Sequence, residues 1–295
     1  MTLPVVVGVG EVLWDLFESG PRLGGAPANF ACHASSLGAE VFLVSAVGDD
    51  KLGRGAIQGL ASRGIDTRHV QSTAFPTGTV GVTIGADGEP EYEITEGAAW
   101  DHVQWNNRLL ELAKRADAVC FGTLSQRSLD SQETLIRLLD ATGEDALRIV
   151  DINLRAPWFG KETVLGSLEM ANVLKLNTAE LPIVLKAAGI AGERTEAINE
   201  LSRRFRLKLI ALTDGPNGSQ LFAAGESHFQ ESTVVEVRDT VGAGDAFTAC
   251  LAIGMLRGLS LAQVGEHANS VAGWVCSEEG ATPKLPEELV EKFLK

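Results

Sequence analysis

No apolar run in the chain approaches the roughly 18 residues that a membrane-spanning helix needs, and Met1-Thr2-Leu3-Pro4 leads into the first apolar segment without the basic flank of a secretory leader. Both absences predict a cytoplasmic protein with no membrane partner. Basic residues are in deficit: 25 Lys and Arg against 39 Asp and Glu leave a formal net charge of −14 along the chain, which disfavours nucleic acid as a partner. An anionic substrate must therefore be held by a local device, such as a cradle of amides, an arginine or a metal. The four cysteines, Cys32, Cys120, Cys250 and Cys276, form no C-x-x-C pair and sit in apolar stretches, which predicts buried reduced thiols. His33, His69, His102, His228 and His267 have no H-x-x-x-H or shared-face spacing, so a zinc centre or a histidine base has little support. Two nucleotide signatures are missing as well. There is no G-x-x-x-x-G-K-[ST] string, which argues against a P-loop kinase, and Leu13 stands where the fingerprint begun by Gly8-Val9-Gly10 would need a glycine, which argues against a nicotinamide dehydrogenase.

What remains is the composition of one large α/β domain: 295 residues, 45% hydrophobic and 22% charged. Strand-length apolar runs near 4–10, 41–47, 117–122, 147–152, 172–176 and 207–213 alternate with helical periodicity at 27–38, 51–63, 105–115, 131–141, 178–188, 194–204, 244–258, 261–277 and 286–294. That alternation predicts a mainly parallel sheet between two helical layers, with Asp50, Ser131 and Thr178 as helix caps. Residues 77–95 break the pattern. There Gly78-Thr79-Val80-Gly81-Val82-Thr83-Ile84, the turn Ala86-Asp87-Gly88-Glu89 and Glu91-Tyr92-Glu93-Ile94-Thr95 read as a β-hairpin, a lid or a dimer edge. Val80, Val82 and Ile84 would give it an exposed apolar face suited to a lid-to-lid homodimer.

Several polar constellations fall where strands end and helices begin. Asp239-Thr240-Val241-Gly242-Ala243-Gly244-Asp245 joins a glycine-rich turn to an apolar helix, so it can cradle an anion on free amides. Asp245 would then take a proton from an attacking hydroxyl, or serve simply as an N-cap. Leu23-Gly24-Gly25-Ala26-Pro27-Ala28-Asn29 lets a polyol approach the backbone, with Asn29 both donor and acceptor; a plain loop before a helix is the alternative. Asp15 follows the first strand and is placed to accept hydrogen bonds from two vicinal hydroxyls. Asp151, Asn153 and Arg155 alternate onto one side of a strand exit, either a site in which Arg155 meets phosphate or substrate, or a salt-bridged exit. Asn177 and Glu180 flank a helix start, where they either organise water around Mg²⁺ or form a cap. Thr213-Asp214-Gly215-Pro216-Asn217-Gly218 floors a nucleotide pocket or turns a hairpin into Ser219-Gln220-Leu221-Phe222. Trp105, Trp158 and Trp274 read as packing.

The strings at 23–29 and 239–245 together resemble the two signatures of the ribokinase-like (PfkB) carbohydrate kinases, in the family's order and separation. The likeness extends over essentially the whole chain. Gly10-Glu11-Val12-Leu13-Trp14-Asp15, Asp151-Ile152-Asn153-Leu154-Arg155 and Pro76-Thr77-Gly78-Thr79 are most similar to bacterial fructokinases within the family. The resemblance implies an ATP-dependent sugar kinase in which Asp245 is the base and the amides of Gly242, Ala243 and Gly244 form the anion hole. It implies that Asp15, Gly25 and Asn29 hold sugar hydroxyls and that Asn177 and Glu180 position Mg²⁺ and its waters. Thr213, Gly215, Gly218 and Asn269 would line the ATP pocket, and the lid would exclude water. Family members often bind a monovalent cation on carbonyls, here near Asp239, Val241, Val275, Glu278 and Gly280. Lys284 stands where a small hydroxyl residue commonly completes that site, and its ammonium would replace K⁺ there, which predicts weak or absent K⁺ activation.

Fructose phosphorylated at its 6-hydroxyl is the first expectation. Kinases of 2-keto-3-deoxygluconate (using Arg155 against the carboxylate), ribose or a nucleoside are alternatives within the family. A non-catalytic sugar- or nucleotide-binding relative is the alternative of another class, although such a binder has no need of Asp245.

Overall fold

Val5–Val9 forms a strand, β1, buried along its whole length, as a strand covered on both faces must be. The structure, a computed structural model, describes residues 2–17, 19–84 and 90–294. After β1 come β2 (Leu13–Phe17), β3 (Gly20–Gly24), α1 (Ala26–Ser36), β4 (Glu40–Gly48), α2 (Lys51–Ala61), β5 (Val70–Thr73), β6 (Gly78–Ile84) and β7 (Pro90–Ile94). The middle alternates as α3 (Asn107–Arg115), β8 (Ala118–Phe121), α4 (Leu129–Asp140), β9 (Leu147–Asp151), α5 (Lys161–Met170), β10 (Val173–Asn177), α6 (Leu181–Ala188), α7 (Arg194–Phe205) and β11 (Leu209–Thr213). The chain continues through β12 (Ser219–Ala223) and β13 (Glu226–Gln230) to α8 (Ala243–Leu256), α9 (Leu261–Ser277) and α10 (Glu287–Leu294).

Among the described residues, one nine-stranded sheet runs β13-β12-β11-β10-β9-β8-β1-β4-β5, parallel from β5 to β11 and antiparallel at β12 and β13. Alternate strand residues feed two cores. Val6, Leu43, Ile149 and Ala211 pack with Phe30, Ala246 and Val271 on one face. Val7, Val44, Val150 and Ile210 pack with Leu109, Leu138 and Leu201 on the other. The result is the ribokinase-like three-layer α/β architecture. Strand order reverses between β1 and β8, and in such sheets ligands bind outside the carboxyl ends of the strands at this switch point.

The lid is larger than a hairpin. β2 and β3 join β6 and β7 in a four-stranded sheet ordered β3-β2-β6-β7, with β2 and β6 parallel. The turn expected at 86–89 lies outside the described residues. Val80 does not belong to an exposed dimer face: it is 5% exposed and lines a pocket beneath the lid. Two caps also differ from expectation. Ser131 lies inside α4, whose N-cap is Ser128, and its hydroxyl donates to Trp100 O while accepting from Val103 N. Thr178 donates to Asp214 Oδ1 at 2.6 Å.

Asp50 does cap α2, accepting from Gly53 N at 2.7 Å, and it also accepts from Thr77 N and Thr77 Oγ1 at the base of the lid. Burial raises its pKa, but these hydrogen bonds outweigh burial and hold the carboxyl below its usual value. Asp50→Ala should lower stability by about 1–2 kcal/mol in urea unfolding. Because the folded-state pKa is depressed, that difference should be full above about pH 4 and close on further acidification. An unchanged urea midpoint at neutral pH would remove Asp50 as the link between α2 and the lid.

Candidate active site

Two pockets meet at the N-terminus of α8. The first, of 330 Å³, lies under the lid; Leu13, Asp15, Val80 and Ile94 form its roof and Gly25, Asn29, Asn153 and Arg155 its walls. The second, of 480 Å³, is lined by Thr213, Gly215, Gly218, Val234, Asn269 and Ala243, among others. Thr240 and Gly244 line both. The resemblance implied that Asp15, Gly25 and Asn29 hold sugar and that Thr213, Gly215, Gly218 and Asn269 line an ATP pocket, and the structure brings the first group together in one pocket and the second in the other. The 213–218 string is both of its alternatives at once, since it turns the β11–β12 hairpin and walls the second pocket.

The shape of this junction follows from its glycines. Gly25, the N-cap of α1, has φ +107, and a Cβ there would stand 2.5 Å from Glu11 O. Gly242, the N-cap of α8, has φ +81, and a Cβ there would fall inside the van der Waals shell of Ala281 O. Both positions need a residue without a side chain. The following residues Ala246–Gly254 are all buried, which anchors the helix beneath its half-buried first turn. One of the three expected cradle amides is partly engaged, because Ala243 N makes a long 3.4 Å bond to Thr240 O.

Asp245 lies in the first turn of α8 and is not its N-cap. Asn29 Nδ2 donates to its Oδ2 at 2.9 Å, a contact made possible by α1 packing on α8. Burial pushes its carboxyl up to about 7; Asp151 adds to the rise, while Asn29, Lys175 and Arg155 oppose it. The carboxyl still opens onto the first pocket. A carboxyl poised near neutrality in the wall of an open pocket is the type of group that can serve as a general base. Asp15 is raised to about 6, again mainly by burial, with Arg155 opposing.

Lys175 escaped the sequence reading. Its ammonium is 3.1 Å from Asp151 Oδ1 and only 2.9 Å from where a Cβ on Gly244 would stand, so a buried cation sits against the cradle. Burial alone would drive this amine down, but Asp151, Glu180 and Asp245 outweigh it and hold it charged. A signal was present: Lys175 is the lone charge in Val173-Leu174-Lys175-Leu176-Asn177, a fully covered strand where an ion needs a partner. Asp151 is thus a salt-bridged strand exit, while Asn153 and Arg155 beyond it line the pocket.

Among the described residues, neither Asn177 nor Glu180 lines these two pockets. They form a reciprocal cap: Asn177 Oδ1 accepts from Glu180 N at 2.9 Å, and Glu180 Oε2 accepts from Asn177 N at 2.8 Å. Glu180 Oε1 accepts from Leu154 N. Among the described residues no three His, Cys, Asp or Glu side chains gather as a metal cage. A carboxylate fixed in this way still has lone pairs free for water, which fits the sparse protein ligation of Mg²⁺.

Asp239 is tied to Val241 N and Gly280 N, and the cation near it is Arg22 of β3, at 3.6 Å. Lys284 is exposed, and its carbonyl accepts from Trp274 Nε1. The replacement expected of Lys284 is therefore not what the structure places there. Cys32, Cys120 and Cys250 are buried free thiols as expected, whereas Cys276 is half-buried and lines the second pocket.

Comparison with known proteins follows this geometry. The sequence profile described as pfkB family carbohydrate kinase matches residues 17–288. A putative sugar kinase of Pyrococcus horikoshii is 30% identical over 98% of this chain and 96% of its own length. Fructokinase-1 of Oryza sativa is 30% identical over 97% of this chain and 92% of its own. The crystal structure of the Pyrococcus kinase in complex with ATP superposes with a TM-score of 0.83 at 27% identity, covering 98% of this chain and 99% of that one.

Proposed function

The chain belongs to the pfkB family of carbohydrate kinases, which makes it a sugar-phosphorylating phosphotransferase, and we propose that it transfers the γ-phosphoryl group of ATP to the 6-hydroxyl of fructose. The observation that carries the reading is the shared wall of the two pockets at Thr240 and Gly244, with Asp245 on the sugar side. ATP occupies the 480 Å³ pocket, and its γ-phosphoryl group reaches the first turn of α8, where amides and the helix dipole favour negative charge. Lys175 adds a buried positive charge at the same place.

Fructose lies in the 330 Å³ pocket with its hydroxyls on Asp15, Asn29 and the backbone at Gly25. Its primary hydroxyl oxygen attacks the γ-phosphorus while the bond to the ADP oxygen breaks, and the hydroxyl proton passes to Asp245 Oδ1. Asn29 occupies Oδ2 and so fixes which oxygen faces the substrate. Glu180 and Asn177 would hold the waters of a nucleotide-bound Mg²⁺, which would supply screening of phosphate charge. The lid roof of Leu13, Val80 and Ile94 keeps bulk water from competing with the sugar.

Charge balance favours a neutral sugar. Glu11, Asp15 and Asp245 all face this pocket, and the field of Arg155 is divided among the three, each of which it pulls down in pKa. An acid sugar would bring a fourth carboxylate. A coupled ADP-release assay over fructose, tagatose, ribose, adenosine and 2-keto-3-deoxygluconate should therefore give fructose the highest kcat/KM. A higher value for 2-keto-3-deoxygluconate would reassign Arg155 to that substrate's carboxylate, and release with none of the five would favour a binding-only relative.

The K⁺ expectation passes from Lys284 to Arg22, whose guanidinium already supplies a positive charge beside Asp239. Initial rates in KCl should stay within about twofold of those in tetramethylammonium chloride. A many-fold stimulation by K⁺ would contradict this part of the reading.

A further inference from the structure

Glu11 has no task in the reaction described above, yet it is a buried carboxylate lining the same pocket. It follows β1 directly, is 4% exposed, and has one oxygen, Oε2, that is buried without a hydrogen-bond partner. It lines the sugar pocket together with Asp245. It also lines a cavity of about 10 Å³ behind that pocket, together with Thr123, Asp151, Asn153 and Asp245. A space of this size with several polar walls suits about one water. An unpaired carboxylate oxygen here would be costly if ionised, and a protonated carboxyl would turn it into a donor.

We infer that Glu11 is the proton partner of Asp245: it holds a proton while Asp245 is ionised, and exchanges it with Asp245 through the small cavity. It acts through Asp245 and does not touch the reacting atoms, so it is a positioning residue. This inference rests on the proposed role of Asp245 as base. In the resting enzyme one proton is shared by the two carboxyls and resides on Glu11, leaving Asp245 able to accept the sugar's proton. After transfer Asp245 carries that second proton, and the pair returns to its one-proton state by releasing one to solvent.

The charges around Glu11 fit this assignment. Asp245 faces it from α8, Asp151 from the end of β9, Lys175 from the middle of β10, Arg155 from the segment after β9 and Asp15 from the lid. Lys175 is paired with Asp151 and also lowers Asp245, while Arg155 is the cation that acts on Glu11 and Asp15. Burial raises Glu11 to about 7; its own amide, Arg155 and the Ala26 amide pull it down, and Asp245 pushes it up. Asp245 is raised to the same region. Two such groups titrate as a pair: the one that ionises first raises the other, so an Asp245 that ionises first leaves the remaining proton on Glu11.

The test has two arms. In the first, Glu11→Gln and Glu11→Met keep measurable turnover, and the acid limb of kcat/KM stays within about 0.3 pH unit of wild type in both, because in wild type Asp245 already ionises beside a neutral Glu11. In the second, ¹³C-carboxyl NMR of wild-type enzyme finds one glutamate titrating near 7, and in Asp245→Asn that glutamate titrates lower. The second arm needs neither activity nor a Glu11 variant. An acid limb that moves down by about one pH unit or more in active Glu11 variants, which would mean that Glu11 is charged while Asp245 titrates, or no glutamate titrating above about pH 5.5, overturns the inference. Asp245→Asn with wild-type turnover would refute the base itself, and it is distinguishable because the glutamate titration would still respond.

Discussion

Asp245→Asn loses at least about 10²-fold in kcat while sugar binding by calorimetry stays within a few-fold of wild type. The amide keeps the shape of the side chain and can still meet Asn29, but it cannot accept the hydroxyl proton. The same substitution should stabilise the fold. Folding raises the Asp245 pKa from 3.8 to about 7, so the ionised carboxylate is disfavoured in the native state. A raised carboxyl leaves stability greatest below the unfolded value and erodes it as pH rises towards 7. Asparagine removes that erosion. The melting temperature of the variant should therefore exceed that of wild type at about pH 8, and the gap should close by about pH 4. Unchanged turnover, or a gap that widens on acidification, would contradict the assignment.

Gly242→Ala is the second large effect. The position combines φ +81 with a close approach of Ala281, so a methyl there meets both backbone strain and a carbonyl wall. That wall cannot easily yield, because Ala281 O lies 2.9 Å from His33 Nε2. Burial lowers His33 to about 4, with the Ala281 bond opposing, so at neutral pH the ring is uncharged and donates through Nε2. Relief of the clash must either break this bond or shift the first turn of α8. We expect a stability loss of about 2–3 kcal/mol in urea unfolding and a fall in kcat/KM of roughly 10²-fold from misplaced amides. A variant within about 0.5 kcal/mol and threefold of wild type would show that the cradle does not depend on this turn.

Much of this fold could be read from residues alone because parallel strands buried on both faces leave near-continuous apolar runs. β1, β4, β8, β9, β10 and β11 all lie within two residues of the strands expected from such runs. The segments that escaped are those whose order comes from tertiary contact. β2 and β3 are short and half-exposed, β3 opens on Gly20-Pro21, and the pairing of β2 with β6 spans more than fifty residues of sequence. β5 and β13 are largely polar edge strands, and α5 carries Gly166 in its interior.

The site divides along the same line. Gly25, Gly242 and Asp245 belong to compact strings whose spacing reflects a local turn, so they were visible. Lys175, Arg22 and Glu11 act through partners distant in the chain, at Asp151, Asp239 and Asp245, and charge pairing across the fold leaves little trace in local sequence. Lys284 illustrates the reverse case: its position in the sequence suggested a cation beside Asp239, while the lid strand β3 supplies Arg22 instead.

The claim that the α8 N-terminus joins a phosphate cradle to a base is tested most directly by the pH dependence of fructose phosphorylation. With kcat/KM measured from roughly pH 5 to 9, wild type should fall with unit slope below a pH near 7 and level off above it, and the residual rate of Asp245→Asn should lack that limb. A wild-type rate that is flat across the range, or an Asn variant that keeps the same limb, would contradict the account.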